Sequence, residues 1–203
     1  IAQLQMGIMA ASGLTDTAEE IYCGINGGDE SLPFAETVFP EKAQKIYHGL
    51  QCKTEIRTMM KMQKVMAGRK GWKILYHHCK GAFHSPDEKI ITKWRDCMMH
   101  HLVENWLICV NSLNCGFEAA GTHWLTDQVD GTMSLFGGNF WWMTSEFMST
   151  LPPIENNARI PLMGGIDSVQ SRYESEVWIG TGPRLPKVRD FHATHPFKCA
   201  GAG

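Results

Sequence analysis

Trp72-Lys73-Ile74-Leu75-Tyr76-His77, running straight into His78-Cys79-Lys80-Gly81, is the stretch on which the fold turns. Side chains alternate across a strand. Here Ile74 and Tyr76 share one face and Leu75 takes the other, so no clearly wet face remains. A strand apolar on both sides belongs to a sheet interior covered by helices above and below. The spacing predicts a short buried strand inside a mainly parallel central sheet.

The chain on either side alternates between helical and extended patterns. Upstream, apolar residues at Ile1, Leu4, Ile8 and Met9 read as a helix stopped at Gly13. Ile21, Cys23 and Ile25 alternate over Ala18 to Asn26, a strand followed by a turn at Gly27-Gly28-Asp29. Lys45 to Tyr47 reads as a short strand, and Thr54 to Met66 as a helix with Ile56, Met59, Met60, Gln63 and Met66 at helical steps. Downstream, Ser85 fits an N-cap, Pro86 the first helical position and Glu88 the capping box. Ile91, Trp94, Met98, Leu102, Trp106, Cys109 and Leu113 then recur every three or four residues to about Asn114, with Gly116 as the stop. Phe117 to Leu125 and Ser134 to Asn139 read as strands. Thr144 to Leu151 reads as a helix ended by Pro152-Pro153, 155–167 as a loop, and Val169 to Trp178 as a helix. Such alternation predicts an α/β fold with helices on both faces of the sheet. The domain is expected to span 1–182, followed by an irregular C-terminal tail over 183–203.

Composition narrows the function classes. The chain has 203 residues, enough for one domain with a sizeable core. A formal net charge of −2 leaves no global basic field for nucleic acid or an acidic membrane surface. No apolar run is long enough to span a bilayer, and no secretory signal is visible. Seven cysteines without C-x-x-C spacing fit neither a zinc ribbon nor a disulfide scaffold. Their odd number points to a reducing, cytoplasmic compartment.

In α/β sheets ligands bind beyond the carboxyl ends of the strands, which brings His78 and Lys80 forward. His77 and His78 point opposite ways, so at most one enters such a site. An imidazole can ligate a metal and a lysine can neutralise phosphate. The segment Gly137-Gly138-Asn139-Phe140-Trp141-Trp142 offers close backbone approach at Gly138, a donor and acceptor at Asn139, and two indoles. Trp141 and Trp142 can be a platform for a sugar ring or the core of a strand. Arg172-Tyr173-Glu174-Ser175-Glu176 sets two carboxylates beside a guanidinium. On a helix Glu174 and Glu176 diverge by about 200°, so one of them faces a pocket, and Arg172 is four residues before Glu176. His192 and His195 lie in the tail, which reads as a loose end or as a flap over the site.

Taken together, Leu75-Tyr76-His77-His78-Cys79-Lys80-Gly81, the Trp94-Arg95 helix, Gly138-Asn139-Phe140-Trp141-Trp142 and Arg172-x-Glu174-x-Glu176-x-Trp178-Ile179 resemble a family of GT-A-like glycosyltransferases. These occur in bacterial surface-polysaccharide clusters and in large algal viruses. The resemblance covers roughly Gln5 to Trp178. Cys79 stands where the family has serine or threonine, and the usual Asp-x-Asp is absent. The resemblance implies a hexosyl or deoxyhexosyl transferase with a nucleoside-diphosphate sugar donor and a glycan or glycoconjugate acceptor. It implies a divalent cation, Mn2+ or Mg2+, with His78 and then His192 or His195 as ligands. Lys80, Gly138, Asn139, Trp141, Trp142 and Arg172 are implied to hold donor and acceptor, and Glu176 or Glu174 to act as acceptor-side base. A sugar-nucleotide mutase or epimerase on the same fold, and a non-catalytic glycan-binding module, are the competing readings.

Overall fold

The computed structural model describes residues 1–49, 54–80, 89–126, 134–160, 165–168 and 175–192. The chain is mixed α/β. Helices α1 (Ala2–Ala11) and α2 (Leu14–Thr17) precede β1 (Tyr22–Asn26), α3 (Ser31–Val38), β2 (Gln44–Gly49), α4 (Ile56–Met66) and β3 (Lys73–Tyr76). There follow α5 (Lys89–Met99), a π-helical turn (His100–Glu104), α6 (Trp106–Asn114), β4 (Ala119–Gly121), β5 (Trp124–Thr126), β6 (Ser134–Phe136), β7 (Trp141–Thr144) and α7 (Ser145–Met148). Single 3-10 turns at Ile154–Asn156 and Trp178–Gly180 lead to β8 (Val188–Asp190).

The expected mainly parallel central sheet is not what forms among the described residues. The largest sheet has four strands in the order β3-β7-β4-β8, with β7 antiparallel to both β3 and β4, and β8 parallel to β4. β1 and β2 make a separate parallel pair, and β5 and β6 an antiparallel one. β3, expected inside the sheet, is an edge strand of the four. The interior strands are β7 and β4, and the alternation of β7 serves two cores. Trp141 and Met143 join a cluster with Tyr76, α4, α7 and Trp178. Phe140 and Trp142 join a second with α1, α5, the π turn and α6. Burial on both faces is what the unbroken apolar run Phe140 to Met143 requires.

The long apolar series from Ile91 to Leu113 is used as read, but the helix is not continuous. The steps Trp94–Met98–Leu102–Trp106 are three fours in a row. At about 100° per residue each four overshoots a full turn by about 40°. The wider π turn at His100–Glu104 absorbs that drift, with Asn105 N donating to His100 O at 3.1 Å. Met98, Leu102, Cys109 and Leu113 therefore stay buried along one line. The expected start at Ser85, Pro86 and Glu88 lies outside the described residues. So do Arg172 and Glu174, with most of the helix expected over Val169 to Trp178, and so does His195.

The segment after 183 is not wholly irregular. Val188–Asp190 is a strand of the main sheet, in register with Ala119, Ala120 and Gly121. Asp190 explains the docking. Its carboxylate accepts from the backbone N–H of His123, Trp124 and His192 at 3.0, 3.0 and 3.1 Å. A boundary at 182 thus falls within the fold.

Candidate functional site

At its carboxyl end β3 runs into a tight turn, closed by Lys80 N donating to His78 O at 2.8 Å. The turn folds the Lys80 side chain inward, to 6% exposure. Its ammonium lies 4.2 Å from the centroid of the Trp94 ring on α5, a cation–π contact that replaces lost hydration. Gly138 packs under the same indole. A Cβ there would stand 2.7 Å from Met98 Sδ and 3.3 Å from the Trp94 ring, and φ is +89°, so only glycine fits. The Gly138 carbonyl meets His78 Nε2 at 3.0 Å. A carbonyl only accepts, so Nε2 carries the proton and, in the neutral ring, Nδ1 is the acceptor. On the other side Gln5 of α1 donates to His78 O at 3.0 Å.

Asn139 occupies the left-handed region at φ +55° and is 1% exposed. Asparagine is among the few non-glycine residues found there at modest cost. Its carbonyl accepts from Trp141 Nε1 at 2.9 Å, and its amide donates to Glu55 Oε1 at 3.3 Å. Asn26, at the carboxyl end of β1, donates to Thr54 O at 3.0 Å. The ends of β1 and β3, the start of α4 and the 137–139 turn therefore converge. Of the residues singled out in the sequence, Lys80, His78, Gly138 and Asn139 are brought together. Glu55 and Asn26 were missed. The available signal was Thr54-Glu55 immediately before a helical pattern, where a carboxylate is favoured by the helix dipole.

A cleft of about 1030 Å3 opens from this point and runs between β1 and β3. Asn26, Glu55, His77, His78 and Cys79 line its polar end. Phe34, Phe39, Met62 and Trp106 are among its apolar walls. Lys80 and Asn139 lie behind this lining. Burial depresses the His77 imidazole to about pKa 4, with His78 as a lesser contributor. His77 Nδ1 is buried with no hydrogen-bond partner among the described residues.

Other expected site residues are placed elsewhere. Trp141 is 0% and Trp142 4% exposed. Trp141 stacks on Tyr76 at 5.1 Å and abuts Trp178 at 6.3 Å. Trp142 Nε1 donates to Leu102 O at 2.8 Å. Trp141 is core, while Trp142, though nearly buried, reaches the lining of the cleft. Glu176 is half-buried and directly precedes Val177, Trp178 and Ile179, which pack into the core around Trp141. Trp178 Nε1 donates to Pro152 O at 3.0 Å.

His192 lies among other imidazoles. Its ring lies 5.0 Å from His123 and 6.1 Å from His101, while His78 packs on Phe140 at 5.2 Å. His101 is pushed below the ordinary histidine range by burial first, and then by the neighbouring imidazoles. Among the described residues no group of three or more His, Cys, Asp or Glu side chains is arranged to hold a metal ion.

Chemically, the site offers a cation held against an indole, an imidazole donor on a glycine carbonyl, and a carboxylate at a helix start, all beside a cleft. No protein-family model, curated protein or solved structure matches this chain.

Proposed function

We propose that the protein is a glycosyltransferase, moving a sugar from a nucleoside-diphosphate donor to a glycan or glycoconjugate acceptor. One observation carries the reading. Lys80, His78 and the Gly138-Asn139 turn, from segments far apart in sequence, meet around Trp94 at the carboxyl end of β3. Breaking the anomeric C–O bond leaves a diphosphate of growing negative charge, and a fixed cation lowers the barrier to its departure. Lys80, behind the cleft lining, supplies that charge through space. Glycine at 138 lets backbone approach closely, and His78 holds the turn by its Nε2 proton.

Glu176, which does not line the cleft, is kept as base toward the acceptor hydroxyl on the sequence resemblance alone. A divalent cation would add charge neutralisation at the diphosphate. His78, with His192 or His195, would hold it, and no step is assigned through it. The compartment is the cytoplasm, where the exposed thiols of Cys79 and Cys115 remain reduced. Among the described residues no helix is long and apolar enough to cross a membrane.

The test is a melting-temperature panel of nucleosides and nucleoside diphosphates, with and without manganese, followed by donor turnover. Saturating diphosphate stabilises by about 2.7 kcal/mol at a hundredfold excess over Kd. Lys80→Ala removes most of that shift and leaves binding of the free nucleoside nearly unchanged. Equal loss for both ligands would remove Lys80 from the diphosphate. Glu176→Gln is expected to slow transfer by roughly 10²–10⁴-fold at unchanged donor affinity. A product formed from donor alone would favour a mutase or epimerase.

A further inference from the structure

Helix α5 buries one charge with almost no partner. Ile91, Arg95, Met98 and Met99 form its inward line, at steps of three and four residues. Three of them are apolar and the fourth is a guanidinium. Arg95 is 8% exposed. Its fork of N–H donors suits two-point bonding to an oxyanion. Among the described residues its one acidic contact is the adjacent Asp96, at 3.4 Å. A well-formed pair of this kind closes to about 2.7–2.9 Å. Arg95 Nε is buried and makes no hydrogen bond. Arg57 and Arg69, both far more exposed, hold carboxylates at 2.6 and 2.8 Å. Counter-charge is thus supplied where water could serve and withheld where water serves least. A buried charge left without a partner lowers stability. Methionine at 95 would complete the apolar line without that cost.

The line also places the charge. Three residues on from Arg95, a Cβ added to Gly138 would touch Met98 Sδ at 2.7 Å. Four residues on, Met99 Sδ accepts from Gln5 Nε2 at 3.8 Å, and the same amide reaches His78 O. Residues three and four apart are neighbours on a helix surface. One residue before, Trp94 carries the Lys80 ammonium over its ring. Arg95 therefore stands one helical turn from the contact between His78 and Gly138, on the helix that holds Lys80. The fields of the two cations add there.

We propose that Arg95 is an anion-binding residue whose guanidinium fork takes a phosphate-class oxyanion, inorganic or carried on a larger ligand. The anion replaces Asp96, the only acidic residue on α5. Asp96 is 57% exposed and marks the side of entry, so its carboxylate swings into solvent as the anion arrives. Lys80 adds attraction through space. The site goes beyond the donor reading, because it needs neither nucleotide nor sugar.

The test titrates inorganic pyrophosphate by calorimetry and follows melting with and without it. Arg95→Met weakens pyrophosphate binding at least about tenfold, as loss of a charged hydrogen bond does. Without the anion the same variant melts about 2–4 °C higher, because a buried charge is gone. Arg95→Lys keeps the charge and loses the fork, so its affinity lies between the two. Lys93→Met, on the exposed face of the same helix, changes neither quantity. Full affinity in Arg95→Met overturns the proposal, and a lowered melting point beside it would make the side chain structural. An equal loss in Lys93→Met also overturns it, since a diffuse surface field would then hold the anion. So does a wild-type chain that binds no pyrophosphate. If Arg95→Met does not fold, Arg95→Lys decides, with weakened binding in support and full affinity against. Should pyrophosphate bind through Arg95 and a nucleoside diphosphate bind no better, the donor reading falls and the anion site stands.

Discussion

The two sheets flanking the cleft are built to different standards. The four-stranded sheet is covered on both faces by large clusters anchored by Trp141, Trp178, Met98 and Leu102, all fully buried. The β1–β2 pair rests on Ile21, Cys23 and Ala43, with Ala18 and Phe39 partly packed against them. Phe34 and Tyr47 nearby are 55% and 44% exposed. One half is a scaffold and the other a thin flap, and the candidate site lies on the seam. Functional groups commonly sit where a rigid element meets one of lower local stability.

The sharpest way to break this contrast is Trp141→Ala. It removes the stacking on Tyr76 and leaves Asn139 without its indole donor. A loss of about 3–5 kcal/mol in denaturant unfolding is expected. A loss below about 1 kcal/mol would mean that β7 is not the anchor.

His77 gives the next largest effect, at the seam itself. Its folded pKa of about 4 lies below the ordinary 6.5, so the unfolded chain binds the extra proton between these values. Its contribution is complete above pH 6.5 and is lost as pH falls toward 4. The loss is on the order of 2–3 kcal/mol. His77→Gln should flatten this part of the stability–pH curve, measured by urea unfolding. An unchanged slope would place the dependence elsewhere.

Ile21→Ala should cost only about 2 kcal/mol, the low end for a buried aliphatic, because its cluster is thin. Amide exchange in β1 and β2 should quicken while β7 is unaffected. Equal quickening in both sheets would merge the two halves into one cooperative unit.

Much of the secondary structure could be read from the chain, and the failures have local causes. The α1, β1, α4, β3 and α7 segments follow their apolar spacing. Strand direction does not show in spacing, because alternation is identical in parallel and antiparallel sheets, so the antiparallel β7 was invisible. The strand expected over Phe117 to Leu125 breaks because His123 adopts φ +59°, which local pattern does not signal. β8 is only three residues long, and its place is set by Asp190 bonding to backbone 67 residues away. Within the site, glycine at 138 and the Lys80 turn were legible as residue types. Glu55 was not, since a carboxylate before a helix is ordinary. Trp141 and Trp142 could not be assigned from composition, because an indole suits a core and a sugar equally well.

The staple at Asp190 also bears on how the molecule is made. On a ribosome, β4 and the 123–124 backbone are synthesised well before the carboxylate that fixes them. At about 5–20 residues per second the far edge of the main sheet waits several seconds for its closing strand. Until then Ala119 to Gly121 present an open apolar edge to solvent. A nascent chain of this kind is exposed to chaperones and to its neighbours on the same messenger for that interval, and the emergence of β8, rather than the collapse of the core, sets the moment at which the sheet is sealed.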